Sequence, residues 1–479
     1  MPAQPVQIAS SVQTAQVPQI VAAAPPRVLS IDVLRGITIA FMILVNDPGD
    51  GAHTYTQLEH ARWNGLTLTD LVFPNFLFLV GASIILSLSA RMERSPTGTL
   101  DSATRQKLAF RILRRAATIF FIDLFLSAMP LFHLTTLRIY GVLTRIAICY
   151  LVVGLLCLVT RRISTLLAIS AALLVGYWAI MRFVPVPGFG VPTHHIPLLD
   201  PDRNLAAWLD RGVNAFLQRT LHTGRLYEHT RDPEGLLSTL PALVTTILGS
   251  ITALWLRRST TMPASSETSP NATGAPQNRV LHPPQPHREG CGIEQSSTAP
   301  ALIEAAAPLE ATSDSTQLRS LTELQTLRGL LIAAVLCLAA GRLWDLTFPI
   351  NKNLWTSSYV FFAAGCSLLG LALCYWLIDI LHLQHRSHTG RALLWPWLVF
   401  GSNAITAYAM SNVFVKLFAL IKVHDSWNPD PTRQTTAWHW IYQHIFARGH
   451  STENTSLAFV ALCFLPNLLL WRKRIFLKV

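Results

Sequence analysis

Long apolar stretches alternate with short polar connections along most of the chain. Ten of these stretches come close to the length, about 20 residues, at which a helix crosses the hydrocarbon core of a bilayer. They are 31–46, 69–90, 110–130, 138–160, 163–184, 236–256, 327–346, 355–379, 393–420 and 456–472. The pattern therefore predicts an all-α fold, a polytopic membrane bundle of about ten transmembrane helices.

Composition supports a protein that spans the lipid bilayer. Hydrophobic residues make up 51% of the chain and charged residues only 13%, whereas a soluble domain carries about 25% charged residues. The net charge of +12 would suit nucleic acid, but Lys and Arg gather in alternate connections, as membrane topology requires. We therefore expect no nucleic-acid partner. The same bias predicts that both termini are cytoplasmic and that His60 lies outside.

Two segments lack any apolar pattern and divide the chain. Residues 1–27 predict a disordered N-terminal tail, and residues 259–320, rich in Ser, Thr and Pro, predict a disordered cytoplasmic linker. Between and beyond them we expect a first membrane half at 28–258, with about six helices, and a second half at 321–479, with about four. Six of the seven cysteines fall inside apolar stretches, which indicates neither a disulfide framework nor a zinc site.

The second apolar stretch begins with unusually polar chemistry, "HARWNGLTLTD" at 60–70. An imidazole suits proton transfer near neutral pH, so His60 could deprotonate an attacking amine or hydroxyl, or carry an acyl group itself. Asp70 could fix its tautomer, while Asn46 or Asn64 could donate to a developing oxyanion. The alternative is an interfacial histidine in a polar loop, with Asp70 capping the helix.

Arginines within or beside the apolar stretches indicate an anionic ligand. A charge at the centre of a membrane helix costs about 2.5–3.5 kcal/mol on insertion scales, so it is paired, reaches the interface or lines a polar cavity. A cavity with several arginines suits a phosphate or pyrophosphate. The candidate residues for such a cofactor-binding cavity are Arg35, Arg138, Arg145, Arg114 and Arg115.

Two later segments supply candidate substrate-binding residues. Asp232 and Glu234 stand in a turn before the sixth stretch, where a helix-start role would also explain them. Lys352 and Trp355 precede the eighth stretch, and Lys352 either holds an anionic group or marks the membrane interface. The histidines match no strong metal-ligand spacing, so we expect no metal.

Five motifs occur in an order that resembles the heparan-α-glucosaminide N-acetyltransferase family, within the wider group of transmembrane acyltransferases. They are "IDVLRGITIAFMILVN", "HARWNGLTLTDLVFPNFLFLVG", "LRIYGVLTRIAICYL", "DPEGLLSTLPA" and "PINKNLWTSSYV". The resemblance covers about 28–256 and 321–479 and is typical of a bacterial member.

The resemblance implies that an acetyl group passes from cytosolic acetyl-CoA, as co-substrate, to an amino sugar or related acceptor outside. It also implies that His60 is catalytic and that Asn46 is its partner. Such a protein would sit in the bacterial inner (cytoplasmic) membrane, and its apolar helix faces could support a homodimer. Direct transfer and an acetyl-histidine intermediate both remain open, as does the acceptor. The rival interpretation is a secondary transporter for an anionic or sugar-like solute.

Overall fold

The computed structural model describes residues 28–49, 53–92, 101–261, 313–425, 430, 433–446 and 452–476. The helices are α1 (Leu29–Asn46), α2 (Val72–Met92), α3 (Ser102–Ala128), α4 (Val142–Val159), α5 (Ile163–Phe183), α6 (Leu205–Leu221), α7 (Thr239–Thr261), α8 (Ser313–Asp345), α9 (Ser357–Tyr375), α10 (Leu383–Arg386), α11 (His388–Ser402), α12 (Ala404–Leu420), α13 (Ala437–Ile441) and α14 (Thr452–Arg472). Two short strands, β1 (Lys422–His424) and β2 (Gln434–Thr436), pair antiparallel.

The all-α, polytopic fold predicted from the sequence is confirmed. Within the described ranges, eight helical spans are long and apolar enough to cross a membrane, or nine if α11 and α12 are counted as one bent span. The predicted tail 1–27 lies outside the described residues, as does most of the predicted linker. The helices enter that linker from both sides, since α7 ends at Thr261 and α8 begins at Ser313.

The predicted third span differs most from a simple membrane helix. It is part of α3, a helix of 27 residues, but every 18-residue stretch of that helix contains Arg111, Arg114 and Arg115. This helix is therefore too rich in charged residues to be counted with the other long helices as a membrane span. The apolar run at 110–130 predicted the helix but not its basic, partly polar face.

The predicted ninth span, 393–420, is also not one continuous helix. It divides into α11 and α12, which meet at an angle of 80°. Asn403 stands at the break with φ −131° and ψ 45°, outside the helical range, and it follows "GS" at 401–402. Small and polar residues of this kind favour an interruption, which membrane helices tolerate where the freed backbone is buried in protein or lines a cavity.

Two glycines allow helices α2 and α7 to approach closely. A Cβ on Gly81 of α2 would lie 1.8 Å from the Thr246 carbonyl oxygen of α7, and one on Gly249 would lie 1.8 Å from the Phe78 oxygen. Ser250 adds a hydrogen bond of 2.9 Å to the Gly81 oxygen. Small residues promote such backbone-to-backbone packing in membranes, where lipid removes most of the hydrophobic drive. The α2–α7 pair is therefore fixed at the level of the backbone.

Four connections meet at one end of the bundle, which we call the His60 face. They are the α1–α2, α3–α4, α5–α7 and α8–α9 connections, and α6 lies within the third of them. Trp63 donates from Nε1 to the Leu199 oxygen at 2.7 Å, and the Arg231 guanidinium lies 4.8 Å from the Trp63 ring centroid. Side chains distant in sequence therefore converge on this face.

Candidate active site

His60 and Asp70 form the centre of the His60 face. His60 lies in the α1–α2 connection, and Asp70 belongs to a 3₁₀ turn, Thr69–Leu71, that leads into α2. The imidazole Nδ1 is 2.8 Å from the Asp70 Oδ1. The Asp70 side chain is 1% exposed and the His60 side chain 51% exposed. A buried carboxylate therefore orients an accessible imidazole.

The second oxygen of Asp70 accepts hydrogen bonds from Ala61 and Thr67. Oδ2 accepts from the Ala61 N–H, the Thr67 N–H and the Thr67 hydroxyl, each at 3.1 Å. Asp70 thus stabilises the local turn and also contacts His60. Because an ionised carboxylate only accepts, this hydrogen-bond network assigns the hydrogen to Nδ1 and the lone pair to Nε2. Nε2 is the nitrogen available as base or nucleophile.

Lys352 reaches this pair from the α8–α9 connection. Its Nζ lies 2.9 Å from the His60 Nδ1, 3.1 Å from Nε2 and 3.7 Å from the Asp70 Oδ1. Burial lowers the pKa of the Lys352 ammonium, while the carboxylates of Asp70 and Glu234 oppose that effect. A residue of the second predicted half therefore contacts the histidine of the first.

Asn351, beside Lys352, orients Asn64. The Asn351 Oδ1 accepts from the Leu354 N–H at 2.9 Å, so its amide nitrogen is the donor to the Asn64 Oδ1 at 3.1 Å. The Gly65 N–H also donates to the Ile350 oxygen at 2.9 Å. With its oxygen occupied in this way, Asn64 turns its own NH₂ group away from Asn351. Asn64 is exposed, whereas Asn351 is buried.

Arg138, Asp232 and Glu234 form a second charged cluster on the His60 face. Arg138 donates to both Asp232 oxygens, at 2.8 and 2.6 Å, and to the Glu234 Oε2 at 2.6 Å. Burial opposes the charge of Glu234, but Arg138, Arg145 and Lys352 outweigh it and hold the pKa of Glu234 below its ordinary value. The guanidinium also stacks 4.8 Å from the Tyr227 ring centroid. Arg138 is therefore fully engaged by acidic partners.

Arg145 lies deeper, with its side chain buried. Its NH2 group donates to the Ser238 hydroxyl at 2.5 Å and to the Gly235 oxygen at 3.1 Å. In the described part of the chain, its Nε and NH1 atoms have no hydrogen-bond partner. Its guanidinium lies 5.0 Å from the Trp355 ring centroid. Arg145 is thus a buried cation with donors to spare.

Trp355 does not stand where a substrate-binding role would need it. It is 1% exposed, and it packs edge-to-face on Phe73 and Tyr359 at 5.1 and 5.3 Å between centroids. Its indole N–H donates to the Thr245 hydroxyl at 3.1 Å. Trp355 supports Arg145 from within the core, and the prediction of direct substrate contact does not fit this burial.

Asp210 of α6 adds an acidic group that forms no ion pair with the cations of the described residues. Its Oδ1 accepts from the Leu236 N–H at 3.1 Å, and the residue is 2% exposed. Burial raises the pKa of Asp210 to about 7, helped by repulsion from Asp232.

A cavity of about 290 Å³ lies on the other side of this cluster, toward the opposite end of the bundle. Its walls come from α1, α2, α3, α4 and the α11–α12 break, and Arg35, Arg111 and Arg115 contribute to them. The Arg111 NH1 atom is buried without a hydrogen-bond partner among the described residues. Arg115 donates to the Tyr150 hydroxyl at 3.3 Å. Three guanidinium groups therefore surround a space suited to an anion.

Arg35 ties this cavity to the broken helix. It donates from Nε to the Gly401 oxygen at 2.8 Å and from NH2 to the Asp32 Oδ1 at 2.6 Å. Phe76 of α2 and Ile146 of α4 also line the cavity. Phe76 follows Phe73 by one turn, and Ile146 follows Arg145 directly, so the inner end of the cavity approaches the layer beneath His60.

The structure divides the predicted arginines between two places. Arg35 and Arg115 line the cavity, whereas Arg138 and Arg145 belong to the His60 face and do not line it. Arg114 is exposed and lies outside the cavity wall. The expectation of one shared cavity is therefore wrong in its arrangement, because the face shared by Arg138 and Arg145 points to Asp232, Glu234 and Ser238.

Asn46 ends α1 with an exposed side chain. No hydrogen bond joins it to His60 within the residues that the structure describes. Sequence reasoning missed Arg111 and Asn351. Arg111 was recognisable, since it stands four residues before Arg115 and so on the same face of α3. Asn351 gave no signal of its own, because its role depends on a contact with a distant connection.

No cluster of three or more His, Cys, Asp or Glu side chains that could hold a metal occurs among the described residues. Fold and site together define a polytopic membrane protein with a carboxylate-oriented histidine at one face and an arginine-lined cavity toward the other. Residues 27–203 match the family model described as "Heparan-alpha-glucosaminide N-acetyltransferase, catalytic". That range contains the first three motifs.

Two curated relatives carry the same description. The heparan-alpha-glucosaminide N-acetyltransferase of Homo sapiens is 26% identical over 495 residues, covering 95% of this chain and 60% of the human protein. That of Mus musculus is 29% identical over 261 residues, covering 47% of this chain and 38% of the mouse protein. The chain thus spans less than two thirds of either relative. The chain is thus similar to this family over the ranges given, and the resemblance drawn from the motifs is confirmed.

Proposed function

We propose that the protein is a membrane-embedded acyltransferase that passes an acetyl group from acetyl-CoA to an amino sugar or a related acceptor. One observation carries the proposal: an accessible imidazole oriented by a buried carboxylate faces one end of the bundle, and an arginine-lined cavity approaches it from the other. Both use α2, which begins beside Asp70 and lines the cavity further along with Phe76.

The cavity would receive the anionic end of the donor. Phosphate groups bind best to guanidinium donors, and Arg111 offers a buried NH1 atom without a partner among the described residues. Arg35 and Arg115 would complete the site from two other sides. The thin pantetheine arm would then extend past Phe76 toward His60. Arg145, with its spare donors, would stand beside that path.

His60 would carry the proton chemistry. In direct transfer, Nε2 removes a proton from the acceptor amine as the amine attacks the thioester carbonyl. In the other route, Nε2 first takes the acetyl group and then gives it to the acceptor. Asp70 serves both routes, since it holds Nδ1 and stabilises the charge that develops on the ring. Of the two predicted asparagines, Asn64 is linked to this network through its hydrogen bond from Asn351. Asp232 and Glu234 would line the side of the site that receives the acceptor.

The basic connections support a cytoplasmic position for both termini and for the mouth of the cavity, with the His60 face outside. The protein would then lie in the inner membrane of a bacterium. Exposed apolar residues on α8, such as Val335 and Leu336, would face lipid or a second copy in a homodimer. Moving only the acetyl group spares the anionic donor from crossing the bilayer.

The test is acetyl transfer from labelled acetyl-CoA to glucosamine by the purified protein in lipid nanodiscs, with His60→Ala alongside. We expect labelled product from the wild type and a loss of about 10²- to 10⁴-fold in His60→Ala, with donor binding unchanged. Donor binding without transfer to any amino sugar would reject the acceptor. Absence of donor binding in both proteins would reject the proposal.

A secondary transporter is the second candidate, and the α11–α12 break favours it. Interrupted helices line the solute sites of many transporters, and Gly401 and Asn403 at this break line the cavity. A transporter would move labelled solute into proteoliposomes without chemical change. The acyltransferase would instead release CoA on one side and an acetylated product on the other.

A further inference from the structure

The position of Lys352 against His60 is unusual for a hydrogen bond. Its Nζ lies 2.9 Å from Nδ1 and 3.1 Å from Nε2. The two nitrogens flank a single ring carbon, and the directions in which they form hydrogen bonds in the ring plane diverge. An atom about equally close to both cannot lie in the ring plane along either direction. The ammonium therefore rests against the ring, and the in-plane position at Nε2 stays open to an acceptor.

This arrangement places a cation beside the site of reaction. An acceptor nitrogen would sit about 3 Å from Nε2, and the carbonyl carbon that it attacks about 3 Å beyond. When the acetyl group approaches on the face of the ring that Lys352 covers, its carbonyl oxygen comes within reach of a donor that itself lies 3.1 Å from the same Nε2. A reacting centre within hydrogen-bond reach of both the base and a cationic donor is the geometry of an oxyanion site.

We propose that Lys352 is a catalytic residue whose ammonium group stabilises the oxyanion formed on the acetyl carbonyl during transfer. The inference rests on the proposed function and adds a residue and a role to it. Asn64 accepts a hydrogen bond from Asn351, the residue beside Lys352, and would be the candidate for a second donor.

The step balances with the groups at hand. The acceptor nitrogen forms a bond to the thioester carbonyl carbon, its proton passes to Nε2 of His60, and the carbonyl electron pair becomes an oxyanion beside Lys352. Collapse of the oxyanion breaks the carbon–sulfur bond, and the proton on Nε2 passes to the departing sulfur. If the acetyl group resides first on His60, each half-reaction forms one such oxyanion.

Two carboxylates and a fixed backbone surround Lys352. Its side chain is 16% exposed, and the carboxylates that face it are those of Asp70 and Glu234. Arg145 is the cation whose charge opposes it. The backbone on its N-terminal side is fixed, since the Asn351 N–H donates to the Thr356 hydroxyl at 3.0 Å. Lys352 belongs to the second predicted half and His60 to the first. Their contact is therefore part of a preformed site rather than a surface ion pair.

Three variants test the role in nanodiscs: Lys352→Met, Lys352→Arg and, as a matched loss of charge at the same end of the bundle, Arg342→Met. Arg342 lies in the last turn of α8. Its side chain is 68% exposed and forms an ion pair only with Asp345 among the described residues. For Lys352→Met we expect kcat to fall about 10²- to 10³-fold, with KM for both substrates within about threefold. Lys352→Arg should recover part of the loss, and Arg342→Met should behave as wild type.

Other outcomes would overturn the role. A rise in acceptor KM with kcat retained would make Lys352 an acceptor-binding residue. Equal inactivity of Lys352→Arg and Lys352→Met, with melting temperatures lowered alike, would make its role structural. Full activity of Lys352→Met would reject the inference while the acyltransferase function stands. A wild type that binds no acetyl-CoA would overturn both.

Discussion

The His60 face and the arginine-lined cavity treat charge in opposite ways. On the His60 face, Asp70 receives four hydrogen bonds from His60, Ala61 and Thr67, and Arg138 is paired with two carboxylates. In the cavity, Arg111 keeps a buried NH1 atom without a partner among the described residues. The groups that contact His60 are satisfied by the protein, whereas the cavity, like Arg145 beneath the His60 face, keeps donors without partners among the described residues.

The difference separates two tasks. Chemistry at an imidazole needs groups that are already oriented, because reorganisation during reaction costs rate. Binding of a polyanion needs donors that the protein has left unsatisfied, because the ligand then supplies the missing acceptors. Substitutions on the His60 face should therefore change kcat, and substitutions in the cavity should change affinity for the donor.

Of the substitutions that test this comparison, Asp70→Asn should cause the largest loss of activity. An amide at this position can present its NH₂ group to Nδ1, which would favour the wrong tautomer and place the hydrogen on Nε2. We expect kcat to fall about 10²- to 10⁴-fold, with donor affinity within a factor of about two. Steady-state kinetics and a donor-binding titration measure the two quantities. Weakened donor binding in this variant would contradict the separation of tasks.

Arg111→Met should have an intermediate effect, confined to the donor. Loss of one charge-assisted contact to a phosphate is worth about 1.5–3 kcal/mol, which corresponds to about 10- to 100-fold in Kd for acetyl-CoA. The matched control is Arg114→Met, since Arg114 is exposed on the same helix and outside the cavity wall. Equal weakening by both variants would assign the effect to general charge rather than to the cavity.

Substitution of Asp210, a buried carboxylate near the His60 face, should give the smallest effect, a change in stability that depends on pH. Its pKa is raised from 3.8 to about 7 in the folded protein. The folded state therefore binds its proton more tightly than the unfolded state, so stability from this group falls as the pH rises from about 4 to about 7. Asp210→Asn should raise the melting temperature at pH 8 but not at pH 4. A gain that does not vary with pH would rule out this titration.

The apolar pattern predicted most of the helices because a bilayer allows few alternatives. The pattern gave the wrong prediction where a helix contains a polar face or an interruption. In α3, arginines line a polar cavity inside an apolar run, and at Asn403 a break serves the same cavity. Hydropathy averages over a window, so it records neither a polar stripe on one face nor an interruption of one residue.

The local part of the candidate site was also predictable. His60, Asn64 and Asp70 stand within one motif, and the turn that joins them is built from neighbouring residues. The partners that depend on tertiary contacts were not. Lys352 was predicted to hold an anionic group or to mark the interface, but its contact with His60 was not predicted. The division of Arg138 and Arg145 from Arg35 follows from which helices pack together. Residue spacing gives helix faces, whereas helix neighbours are set by packing such as that of Gly81 and Gly249.

Those two glycines have a consequence for how such a protein can diverge. The α2–α7 crossing fixes the distance between the chain segments that carry Asp70 and Glu234, and it does so with backbone contacts well below both carboxylates. The width of the proposed reaction site would thereby be set by a region away from the proposed acceptor. Changes of acceptor can therefore arise in the connections, by replacement of residues such as Trp63 or Tyr227, while the spacing of the chemical groups is left intact.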